Sequence, residues 1–150
     1  MENYVYEIAT PKSSAFIVSV IFLCLLAALM ILLAVGTIYG MAHTKVSVGN
    51  GFLTVKSTFY GKKIPLDEIN VDGVRKLNLG SDRDKDYRVT LRTNGIGLSG
   101  YTVGWMRLHN GHKALVYITD KTNVALIPTA KFDVMFSTND FDGLKNALSR

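Results

Sequence analysis

Two kinds of hydrophobic patterning divide the chain. Residues 15–42 (AFIVSVIFLCLLAALMILLAVGTIYGMA) contain no charged side chain, and their apolar positions follow no period. From residue 43 onward, apolar and polar positions alternate in short runs. Leu53, Val55 and Phe59 alternate with Thr54, Lys56 and Thr58. Tyr87, Val89 and Leu91 alternate with Arg88, Thr90 and Arg92, and Phe132, Val134 and Phe136 with Lys131, Asp133 and Ser137. Period-two alternation is the mark of a strand with one buried and one wet face. Residues 101–108 read as a further strand, while 114–119 (ALVYIT) and 124–127 (VALI) are apolar on both faces and predict central strands. Turn signals separate the runs: Gly49-Asn50-Gly51, Tyr60-Gly61-Lys62, Asn110-Gly111 and Lys121-Thr122-Asn123. About eight closely spaced strands predict an antiparallel sandwich or barrel. The end differs: Phe141, Leu144 and Leu148 recur at helical spacing, and Ser137 and Asp140 have capping-box spacing, which predicts a helix over about 139–149. Its apolar stripe has one place to go, the open end of the barrel.

The uncharged stretch predicts a single-pass transmembrane helix over 15–42, after an N-terminal flank 1–14 and before a β domain 43–150. Twenty-eight residues of helix reach about 42 Å, against about 30 Å of hydrocarbon. A buried core helix of that length would carry a polar face. Gly40-Met41-Ala42 offers small residues of the kind found at signal cleavage sites, but a signal's apolar core is only about 7–15 residues long. Lys45, Lys56, Lys62 and Lys63 all precede Asp67, the first acid after the helix, whereas Glu2 and Glu7 flank the other end with Lys12. The bias of positive charge predicts a cell-membrane protein whose β domain is cytoplasmic. Gly36 and Gly40 form a GxxxG spacing through which two helices could pair closely, so a homo-oligomer is one expectation.

At 150 residues the chain has room for one such domain, and its single cysteine, Cys24, excludes an internal disulfide. The order of apolar helix, strand meander and terminal helix resembles the bacterial pleckstrin-homology (PH) domain proteins. The likeness is most specific over residues 92–148. There Arg92-Thr93-Asn94-Gly95-Ile96-Gly97 leads to Gly100-Tyr101-Thr102-Val103-Gly104-Trp105, then to Asn110-Gly111-His112-Lys113 and Val116-Tyr117-Ile118-Thr119. The resemblance implies a mainly β fold, a split barrel or sandwich capped by a C-terminal helix, and no catalytic role. The chain departs from phosphoinositide-binding PH domains in its first hairpin, Val48-Gly49-Asn50-Gly51, which has no basic residue to grip ring phosphates.

Other motifs fail on chemistry. Gly95-x-Gly97-x-x-Gly100 has dinucleotide-fingerprint spacing, with Asp120 twenty residues on, but a strand and not a helix N-terminus follows it. Asp82, Asp84 and Asp86 imitate a calcium loop, yet Tyr87 stands where that loop needs glycine and Thr93 where it needs glutamate. They read as a solvated tip. His109 and His112 flank a turn but leave a zinc site short of ligands. Ser99 lacks the spacing of a nucleophile elbow. We therefore expect no catalytic residue, cofactor or metal, and no enzyme.

Charge points to the bilayer instead. Residues 43–150 hold sixteen basic and ten acidic side chains, a net of +6. Lys45, Lys62 and Lys63 are expected to contact anionic lipid. Nucleic-acid binding lacks a clustered basic stripe and is not expected. Tyr101 and Trp105 are the aromatic anchors expected for a protein or peptide partner. The reading that unites these features is a membrane-tethered, non-catalytic binding module that recruits or senses a protein, peptide or lipid headgroup. Its alternative is a structural protein that oligomerises through helix and β domain.

Overall fold

The computed structural model describes residues 6, 7, 14–42 and 44–149, with side chains excepted at 37, 38 and 40–42. Most of the expected flank 1–14, together with His43 and Arg150, lies outside the described residues. The chain divides into two compact units, Met1–Ala42 and His43–Arg150.

The described residues of the first unit include one helix, α1 (Ser14–Ala42), whose described side chains are all exposed. Its segment Ser14–Gly36 is long and apolar enough to cross a bilayer. The backbone bonds of a helix are internal, which is the condition for burial in hydrocarbon. Ser19 meets that condition too, because its hydroxyl donates to the Ala15 carbonyl at 2.9 Å.

The second unit is built of strands β1 (Lys45–Gly49), β2 (Phe52–Lys56), β3 (Lys62–Pro65), β4 (Arg75–Leu77), β5 (Val89–Leu98), β6 (Tyr101–Leu108), β7 (Lys113–Ile118), β8 (Val124–Pro128) and β9 (Asp133–Ser137). A terminal helix, α2 (Phe141–Leu148), follows them. Strands β1-β2-β3 form one sheet, and β4-β8-β9-β7-β6-β5 form the other. Among the described residues this is the expected mainly β, helix-capped architecture, with one strand more than the count of about eight and with one parallel pair, β7 and β9, where an antiparallel arrangement was expected. The β1–β2 turn is the predicted one: Asn50 (φ +52°) and Gly51 (φ +77°) both take the left-handed conformation that tight hairpins require.

The larger sheet is apolar on both faces. Leu115 and Tyr117 of β7 point to one side, with Val103, Ala125, Ile127, Val134 and Phe136, and meet Leu53, Val55 and Ile64 of the small sheet. Phe141, Leu144 and Leu148 of α2 join that cluster, so the terminal stripe is buried as expected. Ala114, Val116 and Ile118 face the other way and pack with Met106, Leu126, Met135 and Leu77 under Leu79 and Tyr87 from the segment 78–88.

Strand β9 lies between β7 and β8, parallel to the first and antiparallel to the second. The loop 119–123 reaches around its end. There Ser137 Oγ accepts from the backbone N–H groups of Thr119 and Asp120 at 3.0 and 2.9 Å and donates to the Asp120 carbonyl at 2.8 Å.

Several local expectations change. Phe59 does not continue β2: the ladder stops where Lys56 pairs with Lys45, and Phe59 falls in the turn that follows. The alternation at 132–136 does not mark a wet face, because β9 is central and Asp133 and Met135 are buried with Val134 and Phe136. Ser137 is not part of a capping box. The cap of α2 is Asp140, whose carboxylate accepts from Gly143 N–H at 2.8 Å, and the helix starts at Phe141, not 139. Of the glycine-rich motif only Gly100 lies in the expected bend between strands, the turn from β5 to β6; Gly95 and Gly97 lie within β5.

Gly95 and Gly104 stand opposite each other in that pair. Gly104 has φ +111°, and a Cβ there would sit 2.6 Å from Gly95 Cα and 3.1 Å from the Tyr60 ring. Gly104→Ala is thus expected to destabilise by about 1–3 kcal/mol from backbone conformation alone, before the collision is added. Gly111 also has positive φ but open space around it. In urea titrations of the detergent-solubilised chain followed by Trp105 fluorescence, Gly104→Ala should lower the midpoint more than Gly111→Ala. Equal shifts would refute the close approach.

Candidate functional site

The segment β1–β3 carries lysines and no acid. Lys45 of β1 and Lys56, the last residue of β2, are direct cross-strand partners beside the β2–β3 turn, Lys62 opposes Val55, and Lys63 opposes Thr54. All four are exposed, and none forms an ion pair among the described residues. Like charges placed directly opposite each other on a sheet repel. Lys63 Nζ lies 3.9 Å from the centre of the Phe52 ring, a cation–π contact on the outer face. Of the expected lipid contacts, Lys45 and Lys63 share the outer face with Lys56, whereas Lys62 lies on the face of Val55, exposed at the turn end of β3.

The hairpin tip is held from beneath. Tyr117, buried on β7, donates its hydroxyl to the Tyr60 carbonyl at 2.6 Å, and Tyr60 donates to Asn94 Oδ1 at 3.2 Å. Burial pushes the Tyr117 phenol well up, with the Ser57 hydroxyl beside it pulling the other way. Thr44 donates to Ser57 Oγ at 3.4 Å, which ties the start of the β unit to the same tip. Between these anchors Phe59 stands 67% exposed.

Tyr101 and Trp105, the expected aromatic anchors, lie on one face of β6 and pack against the cluster shared with the small sheet. Both are half-buried, and burial raises the Tyr101 phenol. Trp105 meets Phe132 edge-on with ring centres 4.9 Å apart, and Lys113 Nζ lies 4.4 Å from its ring centre. Much of each side chain therefore serves the core. In α1, a Cβ added at Gly36 would meet nothing within 4 Å, while the surroundings of Gly40 lie outside the described residues.

Sequence reasoning missed a groove of about 650 Å³ beside β5, the end strand of the larger sheet. Leu79, Val89, Leu91, Met106 and Ile118 give it an apolar floor; Arg88, Arg92 and Lys121 give it three cations, with no carboxylate in its lining. Arg88 is fixed, donating from Nε to the Leu79 carbonyl at 2.9 Å. Along β5 the ladder shifts register twice, around Thr90 and Thr93, whose hydroxyls donate to the Arg107 and Trp105 carbonyls. Bulges of this kind protect an end strand from indiscriminate pairing.

Polar groups elsewhere are engaged in structure. His112 Nδ1 lies 3.2 Å from Asp133 Oδ2, and among the described residues no group of three His, Cys, Asp or Glu could hold a metal ion. Asp84 is not at a solvated tip. It is buried within the 3₁₀ turns of 82–87, and Oδ2 accepts from Asn78 N–H at 2.7 Å. That bond, assisted by Arg83, holds its carboxyl below the usual range. Asp120 is lowered in the same manner by the Thr122 hydroxyl and N–H and by Asn123.

Two packed sheets closed by a C-terminal helix define a mainly β scaffold. Residues 44–150 match the family described as bacterial PH domain, and the chain belongs to that family. PH domains are generally non-catalytic binding modules. Comparison with curated proteins and with solved structures gave no match.

The Asp84 bond has a pH signature. Its folded-state pKa lies below the unfolded value, so its contribution is complete above the unfolded value of about 3.9 and is lost as pH falls through the folded one. Asp84→Asn should cost on the order of 1–3 kcal/mol at neutral pH, the range for a hydrogen bond to a charged group. The gap from wild type should close as pH drops below about 4. Urea midpoints of both proteins across pH check this; a constant gap would contradict it.

Proposed function

We propose that this protein is a membrane-tethered, non-catalytic PH-type module that holds a protein or peptide partner at the bilayer surface, with its β unit on the cytoplasmic side. The carrying observation is the union of one apolar helix with a PH domain in a single chain. The 23 residues Ser14–Gly36 extend about 35 Å as helix, enough to span about 30 Å of hydrocarbon. Tethering raises the local concentration of the module against membrane partners without adding a contact. The lysines before Asp67 support the cytoplasmic side. Each basic residue near an anionic surface contributes about 1 kcal/mol.

The groove beside β5 supports partner binding, because Arg92 and Lys121, beside an Arg88 that is paired with Asp82 at 3.2 Å, stand over an apolar floor and complement an acidic, partly apolar segment. Tyr101 and Trp105 remain proposed contacts through their exposed portions.

The full chain is expected to stay with the membrane pellet after alkaline carbonate extraction. A C-terminal epitope should resist protease added outside intact spheroplasts and be cleaved once they are permeabilised. Release into the carbonate supernatant would overturn the tether, and cleavage in intact spheroplasts would overturn the orientation.

A further inference from the structure

We infer that the β2–β3 hairpin is a second, electrostatically driven membrane contact, in which Phe59 enters the headgroup region of an anionic leaflet while Lys56 and Lys63 on its outer face, Lys45 of the neighbouring strand and Lys62 beside the turn supply the charge that meets its phosphates. The inference rests on the proposed tether and adds a docked orientation of the β unit to it. Three observations converge.

The first is exposure where burial was open to the chain. Phe59 is a large aromatic side chain at a turn, 67% exposed, while the next residue, Tyr60, packs against the core. The tip is not loose: the Tyr60 carbonyl accepts from buried Tyr117, and Ser57 accepts from Thr44. An anchored turn that presents a phenylalanine outward has little conformational freedom left to lose on binding.

The second is unbalanced charge. Lys45 and Lys56 face each other directly, and the nearest acids in sequence, Asp67 and Glu68, follow the far end of β3. Glu68 is already paired with Lys131 at 3.3 Å. Repulsion between opposed lysines destabilises the free domain and is relieved by an anionic surface. Lysines on the strands that flank a turn with an exposed aromatic ring are the composition of a bilayer-interface contact, with the ring among the headgroups and the ammonium groups at the phosphates.

The third is connectivity. Lys45 is the third residue after Ala42, the last residue of α1, and that much chain covers about 11 Å at full extension. Thr44 bonds the hairpin itself. Among surfaces of the β unit, this end is the one the chain enters first. A bilayer is thus a better fit than a protein partner for these residues.

The test uses the full chain with Cys24→Ser, reconstituted into vesicles whose lipids carry brominated acyl chains. An environment-sensitive dye is placed at Phe59→Cys or, as control, at Lys131→Cys. Lys131 precedes β9, at the strand end remote from Tyr117. In vesicles containing phosphatidylglycerol, the dye at 59 should be quenched and blue-shifted, and the dye at 131 should not. Quenching should weaken in pure phosphatidylcholine and at raised salt. Replacing the lysines by glutamine should lower the docking equilibrium about fivefold for each charge removed. A dye at 59 as unquenched as the one at 131 would overturn the proposal. So would equal quenching in pure phosphatidylcholine, or shielding at 59 that needs an added protein and no bromolipid. Flotation after carbonate washing separates the two readings. A chain that does not float defeats the tether, whereas one that floats with residue 59 unquenched defeats the hairpin contact alone.

Discussion

A sheet that is apolar on both faces has to be covered on both, and this requirement organises the β unit. Strands β7 and β9 have buried residues on each side, so neither the small sheet nor the segment 78–88 is an optional decoration. The small sheet and α2 cover one face, and 78–88 covers the other with Leu79 and Tyr87. Each fully buried Val, Leu or Ile contributes about 1.5–3 kcal/mol, far more than any exposed ion pair on this surface. The second cover does not reach the end of the sheet, and the groove under β5 is the uncovered remainder. Its floor residues Met106 and Ile118 belong to the same cluster that 78–88 seals elsewhere.

The same requirement decides what could be read from the sequence. Helix α1 was legible because one signal, the lack of charge over a long run, has one structural meaning. Strands β7 and β8 were legible because 114–118 and 124–127 are apolar without interruption, and the stripe Phe141, Leu144 and Leu148 because its spacing is helical. Strand β9 misled because Asp133 and Ser137 imitate a wet face while serving inside: one meets His112, the other ties down the 119–123 loop. Asp84 misled likewise, since three alternating acids look solvated and only the fold shows one of them capping Asn78 N–H. Phe59 extended an alternation past the point where the ladder ended. The groove was invisible for another reason: Arg88, Arg92 and Lys121 come from separate segments, and a local pattern holds no record of that meeting. The one retrievable signal was Phe59 itself, set between Lys56 and Lys62-Lys63 just before Gly61.

The polar groups most displaced from their ordinary behaviour serve architecture. Asp84 and Asp120 both accept backbone N–H groups in neighbouring loops, and Tyr117 supports a hairpin from within the core. An active site holds such groups in reserve, aimed at an empty space where a substrate will sit. Here they are committed to the chain's own backbone.

Strand β9 is late in the chain yet sits between two strands that precede it. During synthesis, β7 and β8 emerge before the strand that belongs between them, and they have no ladder with each other in the finished sheet. The larger sheet therefore cannot close from its first residue forward as a simple meander can. It waits for Asp133–Ser137 to enter the slot and for Ser137 to catch the loop around it. By then the apolar α1 has long left the ribosome's exit tunnel, so in a tethered chain the membrane segment commits to its environment first, and the module it carries matures afterwards, already at its place of work.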